Sequence, residues 1–132
     1  MRSAVLSYLW IAIGSGLGGI ARYWMSGLVA RWAGETFPWG TILVNVIGSF
    51  IIGLFATLTG PDGRLLVASE ARQFVMVGLC GGYTTFSSFS LQTLNLVRDG
   101  EWLWAGANIL LSVVLCLVAV WLGHMSAVAV NR

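Results

Sequence analysis

Lysine is missing from this chain, and charge of either sign is scarce. Only 9% of its 132 residues are charged, against about 25% in soluble globular domains. Seven arginines and five acids leave a net charge of +2, and the arginines are dispersed, so the electrostatic footprint of a nucleic-acid binder is absent. The two cysteines, Cys80 and Cys116, sit in apolar runs with no CxxC partner and no neighbouring histidine. That excludes a disulfide framework or a cysteine metal site and leaves two small buried hydrophobes. No nucleophile–base pair stands out, so an enzyme is not expected. The five acids (Glu35, Asp62, Glu70, Asp99 and Glu101) all fall in linkers or at the ends of apolar runs. A carboxylate inside a span, the usual sign of a proton relay or cation site, is therefore lacking.

What the chain does have is apolar length. Hydrophobic residues make up 58% of it, more than a core of this size can hide, because small domains leave much of their surface exposed. Four apolar runs cover residues 4–29, Trp39–Leu58, 74–97 and 103–130. Each reaches the roughly 20 residues that cross a bilayer as a helix, and the short alternating segments of a β-barrel are not seen. The linkers at 31–38, 59–72 and 98–101 are short and polar. The expectation is an all-α membrane protein of four transmembrane helices in one domain, residues 1–132, surrounded by membrane lipid. The first run follows Arg2 but is too long for a signal-peptide core and continues through Arg22, so it is expected to be a retained helix. Trp32, Trp39, Trp102 and Trp104 bracket two linkers on one face, where amphipathic rings favour the headgroup zone.

Arginine placement gives little orientation bias. Arg2, Arg64, Arg72 and Arg132 lie on the face of the termini, Arg31 and Arg98 on the other, and Arg22 lies deeper in the first helix. The count slightly favours termini inside; the sharper alternative is dual topology, with copies inserted both ways and paired antiparallel. Four helices with short linkers enclose little room, so function is expected to need two copies. Small residues for close helix approach are plentiful, as in 14–19 and at Gly48 and Gly53.

Polar residues within the spans fall in stripes. Thr41, Asn45 and Ser49 share one face of the second helix, and Asn108, Ser112 and Cys116 repeat that spacing on the fourth. Thr84 and Ser88 form a shorter stripe on the third. A mid-span carboxamide such as Asn45 needs hydrogen-bond partners. One such residue is adequately explained by an interhelical bond; three stripes favour a polar pathway. The segment 78–90, GLCGGYTTFSSFS, is the most informative. Gly81 and Gly82 followed by Thr84 and Thr85 make a poor helix interior, and a threonine or serine suits the N-cap of a following half-helix. The third helix is therefore expected to break between Gly81 and Thr85. Such breaks are tolerated where protein, water or ions satisfy the freed backbone. Its carbonyls would suit a cation and its new N-terminus an anion. Phe86 and Phe89 share one face just beyond, among hydroxyls, and their positive ring edges suit an anion as well as they suit simple packing. Arg22 would attract anions or simply snorkel to the interface.

These residues resemble the Fluc, or CrcB, family of fluoride channels. GLCGGYTTFSSF at 78–89 is similar to that family's third-helix signature, GTILVNVIG at 40–48 to its second motif, and Arg22 after Gly18 and Gly19 to its first-helix arginine. The resemblance implies a bacterial inner-membrane, multi-pass, antiparallel dual-topology homodimer with two fluoride pores, which overrides the orientation favoured by the arginine count. It implies Phe86 and Phe89 as a ring-edge box and Asn45 as a pore-lining amide. Ser88 and Ser112 would join the ion's track, with Thr85 and Thr41 as additions and Arg22 at the vestibule. Gly81 and Thr84 would offer backbone carbonyls to a structural Na⁺ between subunits. Ser88 stands where relatives often have threonine, and Cys116 where some have a hydroxyl. The alternatives are a small dual-topology multidrug antiporter, which needs the embedded carboxylate this chain lacks, and a non-transporting assembly subunit.

Overall fold

The structure, a computed structural model, describes residues 1–132 and is helical throughout, without strands. Its elements are α1 (Arg2–Ala33), α2 (Trp39–Leu58), α3 (residues 69–83), α4 (Phe86–Arg98) and α5 (Trp102–Asn131). The middle of α3, Phe74–Cys80, is wound as a π-helix between α-helical turns at Ser69–Gln73 and Gly81–Tyr83. Four helices are long and apolar enough to cross a membrane, the third of them, Ser69–Arg98, being α3 and α4 taken together. The second span has the expected limits; the others extend beyond their apolar runs, because polar and charged residues at a membrane interface can stay helical. Arg31 in the last turn of α1 and Arg98 in the last turn of α4 favour those ends electrostatically.

The ends of the helices follow from local chemistry. Gly34 adopts φ 79°, a left-handed backbone that favours glycine, and its N–H returns to Ala30 O at 2.9 Å, which ends α1. Thr59 closes α2 by donating from both N–H (3.0 Å) and hydroxyl (2.7 Å) to Phe55 O, and the Arg72 guanidinium in turn donates to Thr59 Oγ1. Arg64 ties the α2–α3 linker to the end of α5: its N–H donates to Asn131 Oδ1 and its guanidinium to Val130 O, both at 2.9 Å.

Helix packing runs through small residues, as it must where lipid supplies no hydrophobic drive. A Cβ on Gly14 of α1 or Gly78 of α3 would lie 3.0 Å from the other's Cα, so the two backbones are nearly in contact. On the other side Gly53 of α2 rests on Val120 of α5, and Gly123 of α5 rests on Phe50 of α2. A small core of Phe37, Ile42, Leu96 and Ala105 is buried, while many apolar side chains point outwards: Leu103 and Ile20 are exposed, as are Trp32 and Trp102 at the loop ends. Phe37 packs edge-on to Trp39 and tilted against Trp104, with ring centroids 4.8 and 5.3 Å away, and pins the α1–α2 linker to the start of α5.

Candidate functional site

The site begins where the third span leaves helical geometry. Thr84 (φ −83°, ψ 159°) and Thr85 (φ −153°, ψ 111°) are extended, and α4 starts afresh at Phe86. Gly81 and Gly82, the residues that made the sequence look broken, remain helical; the two β-branched threonines take the extended backbone that suits them. Thr85 is the N-cap of α4, its Oγ1 accepting from Ser88 N at 3.1 Å. An extended residue in a span still owes its backbone two hydrogen bonds. Asn45 on α2 supplies both: its Oδ1 accepts from Thr85 N at 2.7 Å and its Nδ2 donates to Thr85 O at 3.0 Å. The approach is possible because Gly48, one turn along α2, leaves space that the methyl of Thr84 fills.

These bonds release two other groups. In an unbroken helix Gly81 O would accept from Thr85 N and Thr84 O from Ser88 N. Here Thr85 N serves Asn45 and Ser88 N serves the Thr85 hydroxyl, so both carbonyls lose their regular donor. Gly81 is also exposed on the surface of the chain. Two free carbonyl oxygens suit a hard cation, although such ions take oxygens from several groups and one chain offers two. No group of three or more His, Cys, Asp or Glu side chains lies close enough to hold a metal.

A groove of about 410 Å³ lies beside the extended residues, lined by Asn45 and Ser49 of α2, Thr84 and Thr85, Phe86 and Phe89 of α4, and Ser112 and Cys116 of α5. The stripes on α2 and α5 thus converge on the phenylalanine pair. The two rings are 5.3 Å apart at 50°. Phe89 is packed at 9% exposure, whereas Phe86 is 77% exposed and projects from the chain. Cys80 and Met76, neither of which was a site candidate, complete the apolar wall of the groove.

The remaining candidates face a second cleft of about 770 Å³, lined by Arg22 of α1, Thr41 of α2, and Thr85, Ser87, Ser88 and Gln92. Thr41 and Gln92 continue into an outer hollow of about 420 Å³ that also touches Glu35, Asn95 and Asp99. Arg22 and Ser88 are therefore separated from the phenylalanine groove, and Thr85 is the one candidate common to both sides. Its hydroxyl belongs to the second cleft, donating to Ser88 Oγ at 3.0 Å with Ser87 Oγ at 3.3 Å. Gln92 is a residue the sequence reading passed over. It lies six positions before the end of α4, outside the threonine–serine run, and its Oε1 is buried without a partner. Thr93 was missed too; behind the groove it accepts from Asn108 Nδ2 at 2.9 Å, a link between α4 and α5 that spacing alone does not reveal.

A bundle of four spans, with a largely apolar groove edged by hydroxyls and an amide beside two extended threonines, defines a small multi-pass membrane protein. The family model described as "CrcB-like protein, Camphor Resistance (CrcB)" matches residues 9–124, and the chain belongs to that family. Similar proteins include one from Methylocella silvestris, 65% identical over 127 residues covering 96% of this chain and 97% of the relative. One from Opitutus terrae is 66% identical over 124 residues, 94% of each chain, and one from Rhodospirillum rubrum 60% identical over 127 residues, 96% and 98%. All three carry the name fluoride-specific ion channel FluC. The resemblance read from the motifs holds across nearly the whole chain, and the protein is a multi-pass bacterial membrane protein.

Proposed function

We propose that this protein is a fluoride-specific ion channel that lets cytoplasmic fluoride leave passively, as two pores in an antiparallel homodimer. The observation that carries the reading is the convergence of Asn45, Thr85, Ser112 and the Phe86–Phe89 pair on one groove. Asn45 spends one amide hydrogen on Thr85 O and keeps the other. That hydrogen, the Ser112 hydroxyl and the positive ring edges of Phe86 and Phe89 are donors for a small, strongly hydrated anion. A narrow run of such groups compensates the dehydration of fluoride and is too tight for chloride.

Arg22 and the hydroxyls of Thr41 and Ser88 would gather the anion in the second cleft, and Thr85 would pass it to the phenylalanine groove. Two features support a second copy: the exposed Phe86 ring, which has polar neighbours and no cover within its own chain, and the pair of carbonyls at Gly81 and Thr84. In this reading the third span is a broken helix, and those carbonyls from both subunits hold a structural Na⁺, which would supply fixed positive charge that binds the two chains at their centre. Hydrogen fluoride crosses lipid, dissociates inside, and the anion exits under a potential worth about 2.3 kcal/mol per charge per 100 mV. A proton-coupled antiporter has no support: all five acids lie in linkers or at helix ends.

Expression in bacteria stripped of their own fluoride exporter tests the proposal. Growth on fluoride medium should be restored by the wild type and not by a Phe86→Ala variant. Failure of the membrane-inserted wild type to restore growth would contradict it.

A further inference from the structure

Behind the groove, four residues form a chain of hydrogen bonds whose direction is fixed at one end. Thr93 Oγ1 donates to Phe89 O at 2.8 Å, which spends its only hydrogen. It can therefore only accept from Asn108, so Nδ2 of that amide faces it, at 2.9 Å. Oδ1 must then face Ser112, whose hydroxyl donates to it at 3.4 Å. Asn108 is 1% exposed, and these two bonds hold its amide in this one orientation. Ser112 is the hydroxyl of the chain that lines the groove beside Phe86 and Phe89.

The geometry points to Asn108, locked by Thr93, as a positioning residue that holds the Ser112 hydroxyl hydrogen out of the ion path until an anion draws it in. This inference rests on the fluoride-channel reading and adds to it a control on how tightly the ion is held. With its hydrogen turned to Asn108, Ser112 presents lone pairs to the groove. An arriving anion must win that hydrogen from Oδ1. The competing bond is the longest in the chain, well beyond the usual 2.7–2.8 Å or so for hydroxyl donors, so the exchange is easy. Conduction needs binding that is favourable enough for entry and weak enough for exit, and a competing acceptor inside the wall provides that weakness. Thr93 and Asn108 do not touch the ion; they set which way Ser112 points.

The test is fluoride efflux from liposomes as a function of fluoride concentration, using Thr93→Val, Thr93→Ser, Ser112→Ala and Thr93→Val/Ser112→Ala. Valine matches threonine in shape but cannot accept from Nδ2, which frees the Asn108 amide to turn and donate to Ser112. The Ser112 hydrogen then points into the groove. Thr93→Val should lower half-saturating fluoride about tenfold, the worth of one hydrogen bond to a charged group, and lower the maximal rate as exit slows. Thr93→Ser should restore both values. In the Ser112→Ala background, Thr93→Val should leave half-saturation unchanged. A purely structural role for Thr93 would reduce the amount of active protein in every background and leave half-saturation alone. Unchanged half-saturation in Thr93→Val, with the wild type conducting, overturns the inference alone. The same shift with Ser112 absent also overturns it. Absence of flux in the folded wild type overturns the channel reading and this inference together.

Discussion

The carboxamide of Asn45 makes both backbone hydrogen bonds of Thr85, forty residues away: Oδ1 accepts from its N–H at 2.7 Å and Nδ2 donates to its carbonyl at 3.0 Å. One side chain thus does for an extended residue what a neighbouring strand would do in a sheet. The residue expected to line the pore also braces the extended backbone at Thr85.

Asn45→Ala should therefore cost stability as well as conduction. Orphaning a buried backbone donor or acceptor costs about 1–3 kcal/mol, and this substitution orphans one of each. Thermal unfolding in detergent should show a clear drop, alongside loss of fluoride efflux. An unchanged melting temperature would show that water replaces the amide.

Phe86→Ala should separate the two effects in the opposite way. The ring is 77% exposed on the single chain, so its removal should leave helix content by circular dichroism unaltered. Fluoride efflux should fall to background. Retained flux would remove Phe86 from the ion's route.

Gly48→Ala should displace Thr84, because a Cβ there would collide with the threonine methyl. Overpacking of this kind costs about 1–3 kcal/mol. Thr84→Ser removes that methyl, and the double variant Gly48→Ala/Thr84→Ser should recover most of the lost stability. No recovery in a melting experiment would place the strain elsewhere.

Sodium should matter to assembly if the Gly81 and Thr84 carbonyls hold it. Exchange of Na⁺ for a bulky organic cation should lower both fluoride flux and the dimer fraction on gel filtration. Equal flux and equal dimer in both salts would leave those carbonyls to water or to the partner chain.

Orientation can be probed at Arg2, which lies at the exposed start of α1. Arg2→Gln removes a charge from the face of the termini, and a reporter fused at the C-terminus should shift towards one side of the membrane. Arg64 is a poorer probe, since it also caps the end of α5 through Val130 O. An unshifted reporter would argue against insertion governed by a near balance of arginines.

Much of this architecture is legible in the residues because lipid allows few solutions. Apolar length fixes four spans, and second-helix limits at Trp39 and Leu58 match the structure, with Thr59 donating back to Phe55 O just past the end. The convergence of Asn45, Phe86, Phe89 and Ser112 is legible as stripes at helical spacing. Other features depend on how helices meet. The π-wound stretch Phe74–Cys80 has no periodic signature of its own, and within the expected interval from Gly81 to Thr85 only the two threonines leave the helix. Ser88 parts from the phenylalanine groove because Phe86 and Phe89 share one face of α4 while Ser87 and Ser88 lie off it, on the side where α1 brings Arg22. Thr93 meets Asn108 only because α4 and α5 cross there.

The most direct measurement is anion efflux from liposomes holding this purified protein alone, with fluoride and chloride electrodes reading the same sample. Rapid fluoride efflux without chloride efflux is the predicted result. Equal release of both anions, or release of neither from folded protein, would contradict the account.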